Sequence, residues 1–192
     1  MPYPPGVDVD DRIEAMGTRI EAMRAWIARC DWRGLEARAE TSCRLLDPVA
    51  TDAIADIDLT NYEDRLADGL RTAGAHGSGP VRAMYWEFDP DNGWSSAFFA
   101  CLAYSPERRA NDDWASDFDD SRVLPGPDQP ALAAQFASSW DATAEIASRN
   151  AYLVARTIAA FGRAAESAWE APIPLCAGYH DQDRVFRVVT AE

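Results

Sequence analysis

The chain contains no lysine, so all 18 of its basic residues are arginines. That removes Schiff-base lysine chemistry and the phosphate-gripping lysine of a P-loop. Positive charge is scarce altogether. Against those 18 arginines stand 32 acidic residues, a formal charge of −14, which repels a phosphate backbone or an anionic lipid surface. Nucleic acid and membrane are therefore excluded as primary partners. Histidine occurs only at His76 and His180, too few and too far apart for a zinc site of three or four close ligands. Cys30, Cys43, Cys101 and Cys176 form no C-x-x-C pair and are expected as reduced thiols, small hydrophobes in apolar patterns. The longest strongly apolar run, AFFACLAY at 97–104, is too short to cross a bilayer. The opening MPYPPGVDVDD lacks the basic and apolar regions of a secretory signal, so a cytoplasmic location is expected. No G-x-S-x-G, G-x-G-x-x-G or Walker A run is present, and no resident cofactor or metal is expected.

What is present suits one substantial core: 192 residues, of which 47% are hydrophobic, within single-domain size. The richness in Ala, Arg, Asp and Gly reads as a GC-rich bacterial genome. One α+β domain over 1–192 is expected, with a helical part at 8–74, a joint at 75–80, and a hairpin, loop, helix and hairpin over 81–190. In the first part Ile13, Met16, Ile20, Met23, Ile27 and Cys30 recur at intervals of three and four, the seam of an amphipathic helix. A second helix over Leu35–Leu46 must stop before Pro48, and a short one follows near 48–55. Thr60-Asn61-Tyr62-Glu63 reads as a capping box for a helix that buries Tyr62, Leu66, Leu70 and Ala73 and stops at Gly74.

After the joint the period changes to two. Met84, Trp86 and Phe88 alternate with Ala83, Tyr85 and Glu87, and WSSAFFACLAY carries apolar residues on both faces, which predicts two adjacent strands. Residues 105–129, polar and punctuated by proline, are expected as a surface loop. From Pro130 a helical ladder runs to about 168. One unbroken helix there would outrun the domain, so a break near Ser139–Asp141 is expected. PIPLCAGY and RVFRVV close the chain as a second hairpin. The expected architecture is an antiparallel sheet built from two hairpins, covered by the N-terminal helices and the long C-terminal helical segment.

Three acidic constellations are candidates for chemistry. EFDPDNGW, 87–94, invites comparison with an EF-hand loop. Counted from Asp89, however, Gly93 falls at position five, Trp94 at six and Ala100 at twelve, where the loop needs an acceptor, glycine and glutamate. A tight hairpin turn, with positive φ at Asn92 and Gly93, satisfies the same residues better. In NDDWASDFDD, 111–120, carboxylates surround Trp114 and Phe118. A solvated loop, a partner contact and a metal site remain open, and the two aromatics must either pin the loop to the core or meet a partner. In Tyr179-His180-Asp181-Gln182-Asp183 a histidine sits beside carboxylates without a visible nucleophile, as in an ordinary turn.

The segments AMYWEFDPDNGWSSAFFACLAY, DDWASDFDD and PLCAGYHDQD together resemble small acidic bacterial proteins of the toxin-immunity type. The resemblance implies a non-catalytic binding protein that neutralises a basic protein partner through its acidic, Trp-containing surface. The partner-binding candidates are Trp94, Asp112, Asp113, Trp114, Asp117 and Asp119. Two alternatives belong to other classes: a metal-dependent hydrolase using Glu87 and the 112–120 carboxylates, and an adaptor domain pairing through its first helix.

Overall fold

The computed structural model describes residues 9–106, 112–139, 142–180 and 185–190, with side chains from Thr18 onward. Four helices come first: α1 Val9–Ile27, α2 Trp32–Arg44, α3 Pro48–Ala55 and α4 Thr60–Ala75. The side chains of Asp31 and Asp47 accept backbone N–H groups at the starts of α2 and α3, which satisfies donors that a helix N-terminus leaves orphaned. The predicted capping box is not formed. Thr60 is already helical, and Asp58 accepts from both its N–H and its hydroxyl. The predicted apolar face of α4 holds, with Tyr62, Leu66, Leu70 and Ala73 all buried.

The strands are β1 Ala83–Asp89, β2 Ser95–Cys101, β3 Leu124–Pro125, β4 Leu175–Tyr179 and β5 Phe186–Val189. The fold is α+β as expected, but the sheet is mixed rather than wholly antiparallel. Its order is β3-β2-β1-β4-β5. The two predicted hairpins meet along β1 and β4, which run parallel from Met84 opposite Leu175 to Phe88 opposite Tyr179. The long helical connection makes this possible, because parallel neighbours need a crossover that carries the chain back along the sheet. That connection contains α5 Pro130–Ala133 and α6 Ala144–Ala168. The expected break between them is real. α6 starts from Thr143, whose hydroxyl accepts from Ile146 N, while the proposed cap Asp141 lies outside the described residues.

α6 is buried along most of its circumference, as suits a helix enclosed by others. Its Phe161 stacks on Trp86 of β1 with ring centroids 4.3 Å apart. On another side Gly162 lets the indole of Trp32 rest against the helix backbone, since a Cβ there would come within 2.5 Å of the ring. The Trp32 Nε1 then donates to Glu166 at 2.6 Å. Arginines staple the helical layer together. Arg163 bridges Glu36 of α2 and Glu63 of α4, and Arg156 donates to the carbonyls of Ile54 and Ile57. One hydrophobic cluster draws on all the helices from α1 to α6 and on the inner face of the sheet, so Ile20, Met23 and Ile27 of the α1 seam are spent on the chain's own core.

Candidate functional site

β1 presents Met84, Trp86 and Phe88 to the helices and turns Ala83, Tyr85 and Glu87 to the opposite face. On that second face a smaller buried cluster forms from Ala83, Tyr85, Cys101, Cys176 and Val185. Phe99, Tyr104, Trp114 and Phe118 pack against it. The described part of 105–129, residues 105–106 and 112–129, is therefore more than a surface loop, because much of it is laid onto the sheet; residues 107–111 lie outside the described residues. It makes two 3-10 turns, Asp113–Ser116 and Asp120–Arg122, and then pairs with β2 through β3. Phe118 bridges to Cys101 and sits 4.7 Å from the ring of Phe99. Leu102 N donates to Asp117 O at 2.7 Å, and Asp119 N to Ala100 O at 3.2 Å.

Asp112 locks the start of this segment. Only 5% exposed, its carboxylate accepts from Val185 N at 3.1 Å, from Arg187 Nη2 at 2.8 Å and from the Trp114 Nε1 at 3.0 Å. A buried carboxylate needs such partners to offset its lost hydration. Arg187, opposite Cys176 in the pairing of β4 with β5, lies on this second face and also donates to Ser105 O. Asp112 is thus a structural clamp and not one of the surface acids expected from the sequence. An arginine in the middle of the apolar strand RVFRVV was the signal that could have revealed it, since such a residue must find an anion.

The other candidates divide. Asp113 and Asp117 are exposed, as is Asp120. Asp119 is half-buried; its carboxylate accepts from the hydroxyl and N–H of Ser121 and pairs with Arg122 at 3.1 Å. The Ser121 hydrogen bonds hold its carboxyl below the usual aspartate range. Trp114 is half-buried, edge-on to Tyr104 at 5.2 Å, so the pinning role accounts for much of its ring. Burial pushes the thiol of Cys101, beneath this segment, up to about 12, and Asp117 adds to the effect.

Trp94 leaves the candidate surface altogether. It is fully enclosed, with its Nε1 donating to the Thr157 hydroxyl at 3.0 Å and its ring between Phe88 and Phe136. The turn beside it behaves as read, with one change of position. Asp89 accepts from the N–H groups of Asp91 and Asn92, and Pro90–Asn92 form a short 3-10 turn. Positive φ falls at Gly93 (66°) and Trp94 (60°) rather than at Asn92. Rotating Trp94 into this conformation is what turns its indole inward.

Glu87 accepts from the Tyr85 hydroxyl at 3.1 Å and meets His180 Nδ1 at 3.1 Å. Among the described residues no group of three or more His, Cys, Asp or Glu is placed to hold a metal ion. No helix among them is long and apolar enough to cross a membrane. Compared with protein-family models, with curated proteins and with solved structures, the chain finds no match.

Proposed function

We propose that this chain is a non-catalytic binding protein that docks a basic protein partner through the acidic segment on its second sheet face. The supporting observation is that Asp113, Asp117 and Asp120 are exposed on a segment fixed from beneath by Phe118, Trp114 and the Asp112–Arg187 pair. A loop that merely solvates has no need of that framework, whereas a docking surface gains from being ordered before its partner arrives. Two of the exposed large apolar side chains, Leu102 at 38% and Val123 at 37%, border the same carboxylates. Apolar contacts ringed by charge are the anatomy of a protein interface.

The disposition of the arginines supports the same reading. Arg24, Arg149, Arg156 and Arg187 donate to backbone carbonyls of Val185, Gln135, Ile57 and Ser105, and Arg163 is held between two glutamates. These five arginines are engaged within the architecture, and the chain as a whole keeps a formal charge of −14. Such a surface steers a cationic partner and speeds its association. Neutralisation of a toxin is the specific form of this role, and it rests on the resemblance of residues 83–104, 112–120 and 174–183. Of the carboxylates that the hydrolase alternative would use, Glu87 and those of 112–120, Glu87 is engaged by Tyr85 and His180 and Asp112 by Arg187, which favours the binding reading.

The test begins with capture of a partner from cells of the native host. The triple variant Asp113→Asn, Asp117→Asn, Asp120→Asn should then slow association and flatten its salt dependence. Leu102→Ala should chiefly speed dissociation. Unchanged kinetics in the triple variant would remove the segment from the interface.

A further inference from the structure

On the far side of the molecule, α1, α2 and α6 leave a cleft of about 230 Å³. Its existence follows from small side chains where three helices converge: Ala22 on α1, Ala39 on α2 and Ala151 on α6. Met23 and Leu35, both buried, form an apolar floor. Trp26 closes one end and is held in place because Gly34 offers no Cβ to obstruct its ring.

The charge of this cleft is opposite to that of the chain. Among the described residues its lining includes Arg19 and Arg38 and no carboxylate, on a protein with 32 acidic residues. Other arginines, among them Arg24, Arg44, Arg71, Arg122, Arg163 and Arg187, have carboxylate partners. Arg19 donates instead to the hydroxyl of Ser148 at 3.3 Å, and among the described residues neither Arg19 nor Arg38 is paired with an acid. Two guanidinium groups lining a mainly apolar slot, that of Arg38 exposed and that of Arg19 half-buried, match an anion with a hydrocarbon tail.

We propose that this cleft binds a single-chain amphiphilic carboxylate, its head between Arg19 and Arg38 and its tail along α1 toward Trp26. From Thr18 to Trp26 the helix rises about 12 Å, at 1.5 Å per residue, which sets the tail at about ten carbons. The site is separate from the acidic segment and does not depend on the role proposed there.

Isothermal titration of the full chain with decanoate, below micelle formation, tests the proposal. One saturable site is expected, with decanol and a decyl ammonium ion binding at least about tenfold more weakly because the charge contact is lost or reversed. Arg38→Gln, at an exposed position, and Arg19→Gln, which also gives up the Ser148 contact, should each weaken decanoate by about tenfold, and Ala39→Trp should abolish binding by filling the slot. Absence of saturable binding, or full affinity in the double arginine variant, overturns the proposal. So does a concentration-dependent dimer that decanoate leaves intact and Ala39→Trp dissolves, because the occupant would then be a second copy of the chain.

Discussion

Asp112→Ala should be among the most damaging single changes on the second sheet face. The substitution removes the anion facing Arg187, whose side chain is only 12% exposed, and leaves the buried N–H of Val185 without its acceptor. Breaking a buried ion pair on one side costs about 3–5 kcal/mol, most of it the penalty of the stranded charge. For a chain of this size each kcal/mol lowers Tm by about 2–4 °C, so a fall of about 6–20 °C is expected. Thermal melts followed by circular dichroism measure it. The mechanism makes a sharper statement about the pair: Asp112→Leu combined with Arg187→Met should recover to within about 2 kcal/mol of the parent, because neither charge is then left alone. Backbone amides of 112–120 should also exchange faster in the single variant, as the segment loses its anchor. A cost below about 1 kcal/mol for Asp112→Ala would show that solvent screens the pair. A double variant as poor as the sum of the singles would refute the stranded-charge argument.

Trp94→Ala should cost about 3–5 kcal/mol in urea unfolding, as loss of a buried indole does, and should leave partner affinity unchanged in any variant that stays folded. Gly93→Ala should cost about 1 kcal/mol from backbone strain alone, because φ is 66° and nothing lies within 4 Å of the added Cβ. Thiol labelling of the native protein should modify Cys30 rapidly and leave Cys43, Cys101 and Cys176 intact, since only the first is exposed and burial raises the pKa of the other three; rapid labelling of Cys101 or Cys176 would contradict the packing beneath the acidic segment. Burial raises the phenols of Tyr62, Tyr85 and Tyr152, the last to about 12. Below pH 10.0, the ordinary tyrosine value, the folded state keeps this contribution in full, and it is lost as pH climbs from there through the raised values, because the unfolded chain releases those protons first. Phenolate absorbance should accordingly rise in a late step that coincides with alkaline unfolding.

Local signals were readable wherever the pattern decided the structure. The alternation of Met84, Trp86 and Phe88 gave β1, and the spacing from Val154 to Ala165 gave α6, because the largest apolar side chains of each keep the period of the element even though further faces are also buried. Pairings made at a distance left no such trace. Nothing in LCAGY announces a parallel neighbour more than eighty residues earlier. Trp94 follows a turn whose residues are polar, so its position suggested the surface; its enclosure depends on Thr157, 63 residues away, and on a backbone angle that no propensity scale assigns to tryptophan. Asp112 was hidden by its own company. In a run of carboxylates one acid looks like the next, and the arginine that singles it out lies 75 residues further on.

The parallel junction at the centre of the sheet also sets the order in which the molecule can be completed. β1 finds β2 within a few residues, yet its other edge waits for Leu175–Tyr179, and the aromatic Trp86 waits for Phe161. At 5–20 residues per second on the ribosome, that interval lasts roughly 4–20 s. Throughout it an apolar strand with an unpaired edge stands open to any other extended chain. The nascent polypeptide is thus most vulnerable between the completion of β1 at Asp89 and the arrival of β4 at Leu175, when the four N-terminal helices are already made and the strand that seals the sheet is still unwritten.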